Sequence, residues 1–340
     1  MKSICSRIPS VTGLMSLSCV FSLMEENEEC EPWINSNYIL PFFNKSEHCY
    51  YLAGGDAFGC NPLITYETTT TSLVPPGLIN DFIKQTIEDG KTVFTKVDCR
   101  GIFWAKHRLH DVFVVGYDDT EKVYLLLGPD LSMRLPKWKF MLTPYKSFEN
   151  GYQYSYYQNN NCLLIKLGIN NSFTPQYDSD AVKTMTLDLL ESRISMDHFD
   201  IYYYKTPGAY DPRDNLATYE FYKSVHSSGN MLYGLQTYHG LCEYLNSLNN
   251  ISEIDFTPFK LLLEYSSSMK NKSLYISHSS SVYLKYNEIE NKAAIIFNLL
   301  LKGFVKKQDE ALNIVKKRLL ELYYEEEDAA ESMLKALSQN

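Results

Sequence analysis

Three short runs of β-branched and aromatic residues constrain this chain more than any other feature: 92–97, 111–116 and 123–127. Each has the length of a strand, and the polar stretch 117–122 joins the last two as a hairpin connection. Val112 to Val115 is apolar without alternation, which predicts a strand covered on both faces. A fourth strand is expected from Cys162 to Leu167. Helical patterns lie ahead of and within this region. One runs from Leu78 to Glu88 and is stopped by Asp89-Gly90, and another runs from Pro32 to Leu40. A third, short helix opens at Cys19, with Ser16 or Ser18 as its N-cap.

Beyond Pro175 the period changes. Asp180 to Ile194 has helical spacing, and Asp200 to Lys205 reads as extended. Leu235, Tyr238, Cys242 and Leu245 fall on one helix face, as do Leu312, Val315, Leu319 and Leu322. Ile295 to Leu301 is apolar nearly all round, which predicts a central, buried helix. A chain of 340 residues is long enough for two domains. The expectation is an α+β domain over 1–175 with an antiparallel sheet, followed by a mainly helical domain over 176–340.

Charge excludes some functions. The net charge is −9, and the longest basic run, Lys316-Lys317-Arg318, sits among acidic neighbours. Phosphate backbones and anionic membrane surfaces need clustered Lys and Arg, so neither is an expected partner. No apolar run approaches the ~20 residues of a membrane span. The stretch from Val11 to Met24 is mildly apolar but carries three Ser and a Thr, with no small-x-small cleavage site after it. A cytoplasmic protein is expected over a secreted one. The eight Cys include no Cys-x-x-Cys pair and are expected as free thiols. His107 and His110 are three apart, but no carboxylate or Cys stands beside them at ligand spacing. Neither a metal nor a cofactor is expected.

The stretch from Asp98 to Asp130 is the one that could carry chemistry. Papain-like enzymes place a Cys at a helix N-terminus, where the dipole helps hold the thiolate. A His at the start of a strand exchanges protons with it, and a third group orients the imidazole.

The run His107-x-x-His110-Asp-Val-Phe-Val-Val-Gly116-Tyr-Asp-Asp119 resembles a block of the butirosin biosynthesis N-terminal domain family. Gly90 to Asp98 resembles the strand before that block. The same arrangement occurs in bacteriocin-processing cysteine peptidases. Pro32-Trp33, Ser36-Asn37-Tyr38-Ile39 and Leu127-Gly128 resemble motifs of Bacillus and Paenibacillus proteins that accompany peptide-antibiotic gene clusters. The resemblance implies a papain-like fold with His110 as the proton-transferring His, Cys19 as the nucleophile and Asp130 as the orienting group. Asp130 stands two residues later than the family's Asp or Asn, because the chain reads Gly128-Pro129-Asp130. The Gln that precedes the family's Cys is missing from residues 13–18, and loss of an oxyanion donor costs ~100–1,000-fold in rate. His107 is an alternative base, and His48-Cys49 resembles a His-Cys pair of some relatives. Asp118 and Asp119 read as turn residues.

The implied function is thiol-dependent acyl transfer or peptidase chemistry in natural-product biosynthesis, with an impaired site. An acyl or peptidyl carrier protein, or a small peptide, is the implied partner. The alternatives are an inactive binding protein of the same fold and a secreted cysteine peptidase.

Overall fold

The computed structural model describes residues 1–53, 61–103, 109–130, 137–158, 163–195, 229–276 and 280–338. The protein is α+β, with an antiparallel sheet region followed by a helical region. It forms two compact units, Met1–Glu28 with Pro62–Thr174, and Glu29–Asn61 with Pro175–Asn340. Residues 29–61 therefore belong with the helical unit rather than with the sheet that surrounds them in sequence. The reason is strand pairing. Strands β2 (Leu40–Asn44) and β3 (Cys49–Ala53) form a hairpin, and β2 also pairs with the distant β10 (Met231–Tyr233).

The first unit is built on a sheet whose described strands are all antiparallel. Its order is β4 (Ile64–Thr70), β9 (Leu163–Ile169), β5 (Thr92–Asp98), β6 (Leu109–Asp118), β7 (Val123–Pro129), β8 (Trp138–Pro144). The three runs that dominate the sequence are thus neighbours, and β6 and β7 are antiparallel as the polar connection predicts. Asp118 closes that turn by accepting from the backbone N–H groups of Thr120 and Glu121. The fourth expected strand is β9, and the short helix α4 (Arg100–Phe103) follows β5.

Val112 and Val114 face a core shared with Ile79, Ile83 and Ile87 of α3 (Ile79–Glu88) and Phe148 and Tyr152 of α5 (Tyr145–Gln158). Phe113 and Val115 point the other way and are equally buried. This is why the run lacks alternation. Burying each such side chain contributes about 1.5–3 kcal/mol. β6 also carries an irregularity between Val114 and Gly116, where the short N-terminal strand β1 (Lys2–Ser3) pairs with it. A Cβ at Gly116 would run into the Lys2 carbonyl, so the close approach of β1 requires glycine there.

Helix α1 (Met15–Met24) begins a turn before the expected start at Cys19, and neither Ser16 nor Ser18 caps it. Its N-cap is Leu14, which makes no side-chain cap bond. The Ser18 hydroxyl instead bonds back to the Leu14 carbonyl at 2.5 Å, and the Ser22 hydroxyl to that of Cys19 at 2.8 Å. Serine used this way sits inside a helix, not at its start.

In the second unit α2 (Glu31–Ser36) is shorter than expected and gives way to β2. The helices that follow are α6 (Ser179–Leu190), α7 (Thr237–Ser247), α8 (Thr257–Ile276), α9 (Ser280–Lys306) and α10 (Glu310–Leu337). Leu312, Val315, Leu319 and Leu322 of α10 are buried on one face. The helix expected to be buried all round is not. α9 packs between α8 and α10 and leaves an outer face on which Ile295 is 45% exposed. The extended stretch expected at 200–205 lies outside the described residues. Among the described residues, no helix is long and apolar enough to cross a membrane.

Candidate functional site

His110 enters β6 opposite Val97 of β5, and that pairing fixes its backbone. The imidazole is half-buried, with Nδ1 2.8 Å from the carbonyl oxygen of Asp111. A carbonyl only accepts, so Nδ1 carries the proton and Nε2 keeps the lone pair. The strand backbone thereby orients the ring without help from a side chain.

A small cleft of about 10 Å³, room for about one water, opens beside this ring. His110 and Asp111 line it together with Met15, Gly128, Pro129 and Met141. Met15 is the first residue of α1, so the N-terminal end of that helix meets the cleft through a thioether. Gly128 lies at its floor, where a Cβ would make ordinary contact with the Met15 methyl at 3.6 Å and that of Met141 at 3.9 Å.

Cys19 lies one turn further along α1 and is not among the residues lining the cleft. It is fully buried, and burial pushes its thiol well above the ordinary range, with smaller contributions from Cys5 and Asp111 in the same direction. Cys99, at the end of β5, is also fully buried, and its thiol is pushed up to about 12, mainly by desolvation. A backbone hydrogen bond from His110 lowers it only in part. Neither thiol has the electropositive, accessible surroundings that hold a thiolate at neutral pH.

Asp130 likewise lies outside the cleft lining. Its carboxylate accepts from Lys139 Nζ at 2.7 Å, and its backbone N–H donates to Lys137 O at 2.9 Å. It joins β7 to β8 across their ends. The three residues of the expected trio stand in different surroundings. His110 lines the cleft, Cys19 packs inside, and Asp130 pairs with a lysine.

His107 falls outside the described residues. His48 sits in the β2–β3 turn with φ +50° and packs on the Tyr244 ring, centroids 4.9 Å apart. Its neighbour Cys49 is half-buried, and desolvation raises its thiol too. Among the described residues, no three His, Cys, Asp or Glu side chains gather as a metal site.

Two features of the site escaped the sequence. The Asp111 carbonyl orients His110, and a backbone group leaves no signature in a residue string. Met15 stands at the helix start because α1 begins one turn early. A comparison with protein-family models and another with curated proteins return no match for this chain.

Proposed function

We propose that this is a catalytically silent relative of papain-like acyltransferases, which binds an acyl or peptidyl chain rather than transferring it. The observation that carries the reading is Met15, which occupies the N-terminal end of α1 beside His110, where a cysteine nucleophile is required. A thioether has no proton to give to His110 and forms no acyl intermediate. What remains is a small, largely apolar cleft of about 10 Å³ with one imidazole at its edge, where a bound chain would lie across the surface and offer His110 one hydrogen bond. The sequence resemblance supports a place in natural-product biosynthesis, in the cytosol, with the chain presented by a carrier protein. The antiparallel sheet, with His110 at the start of a central strand, supports the papain-like assignment.

The test uses calorimetric titration with an acyl-pantetheine thioester and with a short apolar peptide. Binding of either without turnover is expected, and Gly128→Leu, which fills the cleft, is expected to abolish it. Thioester turnover that disappears in Cys19→Ala would replace this reading with the working acyltransferase. Absence of binding to both probes would end the binding-protein reading.

A further inference from the structure

The second unit holds a group of polar atoms that the proposed cleft does not involve. Glu326 of α10 is fully buried. Four tyrosines from four other elements feel the charge of its carboxyl, Tyr50 of β3, Tyr238 of α7, Tyr265 of α8 and Tyr286 of α9, and the rings of Tyr50 and Tyr265 lie 6.4 Å apart. All four are at most 1% exposed. The Tyr238 hydroxyl donates to Glu326 Oε2 at 2.5 Å. Tyr265 faces the same carboxyl without completing a hydrogen bond of good geometry. Oε1 of Glu326 and the hydroxyls of Tyr50, Tyr265 and Tyr286 complete no hydrogen bond of good geometry among the described residues, although Tyr50 lies near the Thr237 hydroxyl.

Buried hydroxyls and carboxyls are nearly always hydrogen-bonded, and several orphans aimed at one point need a shared partner. We propose that Glu326 Oε1 and the hydroxyls of Tyr50, Tyr265 and Tyr286 line an internal site that binds water.

The choice of water over a cation follows from counting donors. Each phenol brings one O–H that must find an acceptor. A metal or ammonium cation offers none and would draw on the same oxygens, Glu326 Oε1 and the phenol oxygens, that the tyrosine protons need. Water accepts twice and donates twice, and buried waters typically make about three such bonds. The carboxyl agrees with a neutral guest. Burial raises it above its ordinary value, against a smaller lowering by Tyr238 and Tyr265, and no basic side chain acts on it among the described residues. The site ties β3, α7, α8, α9 and α10 together at one point, so its occupant is part of the framework of the unit.

The test is thermal unfolding of the full chain with Tyr265→Phe and Tyr286→Phe, each of which removes a single oxygen. If water bridges these hydroxyls, each variant lowers the midpoint, by about 2–4 °C. If they are unsatisfied instead, removing one raises the midpoint and the proposal falls. Potassium, ammonium and choline chlorides at equal ionic strength are expected to give the same wild-type midpoint. A rise specific to one cation would overturn the neutral guest. Should the variants not fold, a crystal structure of the unaltered protein decides. Ordered solvent in reach of Glu326 Oε1 supports the site, and hydroxyls sealed directly against one another overturn it.

Discussion

The Nδ1 of His110 lies 2.8 Å from the carbonyl oxygen of Asp111, its neighbour on the same strand. This contact fixes the tautomer with the proton on Nδ1 and the lone pair on Nε2. Nitrogen NMR of the imidazole at a pH where it is neutral is expected to show Nδ1 protonated. The Asp130→Ala variant should leave that signature unchanged, because Asp130 pairs with Lys139 instead. A switch to the Nε2–H form in the wild type would contradict the assignment.

A second prediction concerns Lys272, which is fully buried and donates to the Ile34 carbonyl at 2.6 Å. Burial lowers its amine to about 7, from an ordinary value of 10.5. In the folded protein the amine gives up its proton near pH 7, while in the unfolded chain it keeps it to about 10.5. The unfolded state therefore binds more protons between these values, and stability rises with pH across that window. Below it the penalty of holding the buried charge is present in full, on the order of several kcal/mol. Lys272→Met should stabilise the protein at pH 6 and remove the rise. The Ile34 carbonyl still accepts from the Asn37 N–H at 3.3 Å in that variant. Denaturant midpoints of both proteins from pH 6 to pH 8, below the range in which the raised buried thiols pull stability the other way, check this, and a gap between Lys272→Met and the wild type that does not shrink as the pH rises would contradict it.

Gly116→Ala gives a third. Gly116 has no positive φ, so the cost comes only from the Cβ meeting the Lys2 backbone. Overpacking of this kind costs about 1–3 kcal/mol. Deleting residues 1–3 in the same variant should remove most of that extra cost, because the partner atoms are gone. Equal penalties with and without those residues would mean that the two positions do not interact.

The sheet was legible in the sequence because β-branched runs 92–97, 111–116 and 123–127 have no other use in a folded chain. The helical half was legible from the spacing of Leu312, Val315, Leu319 and Leu322. Other features depend on groups that a residue string does not display. Ser18 signals a helix start in sequence, but its hydroxyl bonds one turn back and places that start at Met15. Residues 29–61 join the second unit through pairing with 231–233, a contact that spans most of the chain. Ile295 to Leu301 looked central, but two neighbouring helices leave a third side open. Glu326 stands in the acidic run 325–328, and nothing in that run signals the tyrosines that surround it in the structure. His110 was found from its place before a strand, while its orienting partner is main chain.

In the proposed binding-protein reading, Cys19 is a packing residue and the helix start beside His110 carries no nucleophile. Iodoacetamide labelling of the native full-length protein, with Cys19 located by mass spectrometry across pH 6 to pH 9, tests it most directly. The buried thiol, held above its ordinary range, predicts no labelling of Cys19 until the protein is unfolded. Labelling of native Cys19 that persists at pH 6 and is lost in His110→Ala would contradict the account and restore Cys19 as a nucleophile.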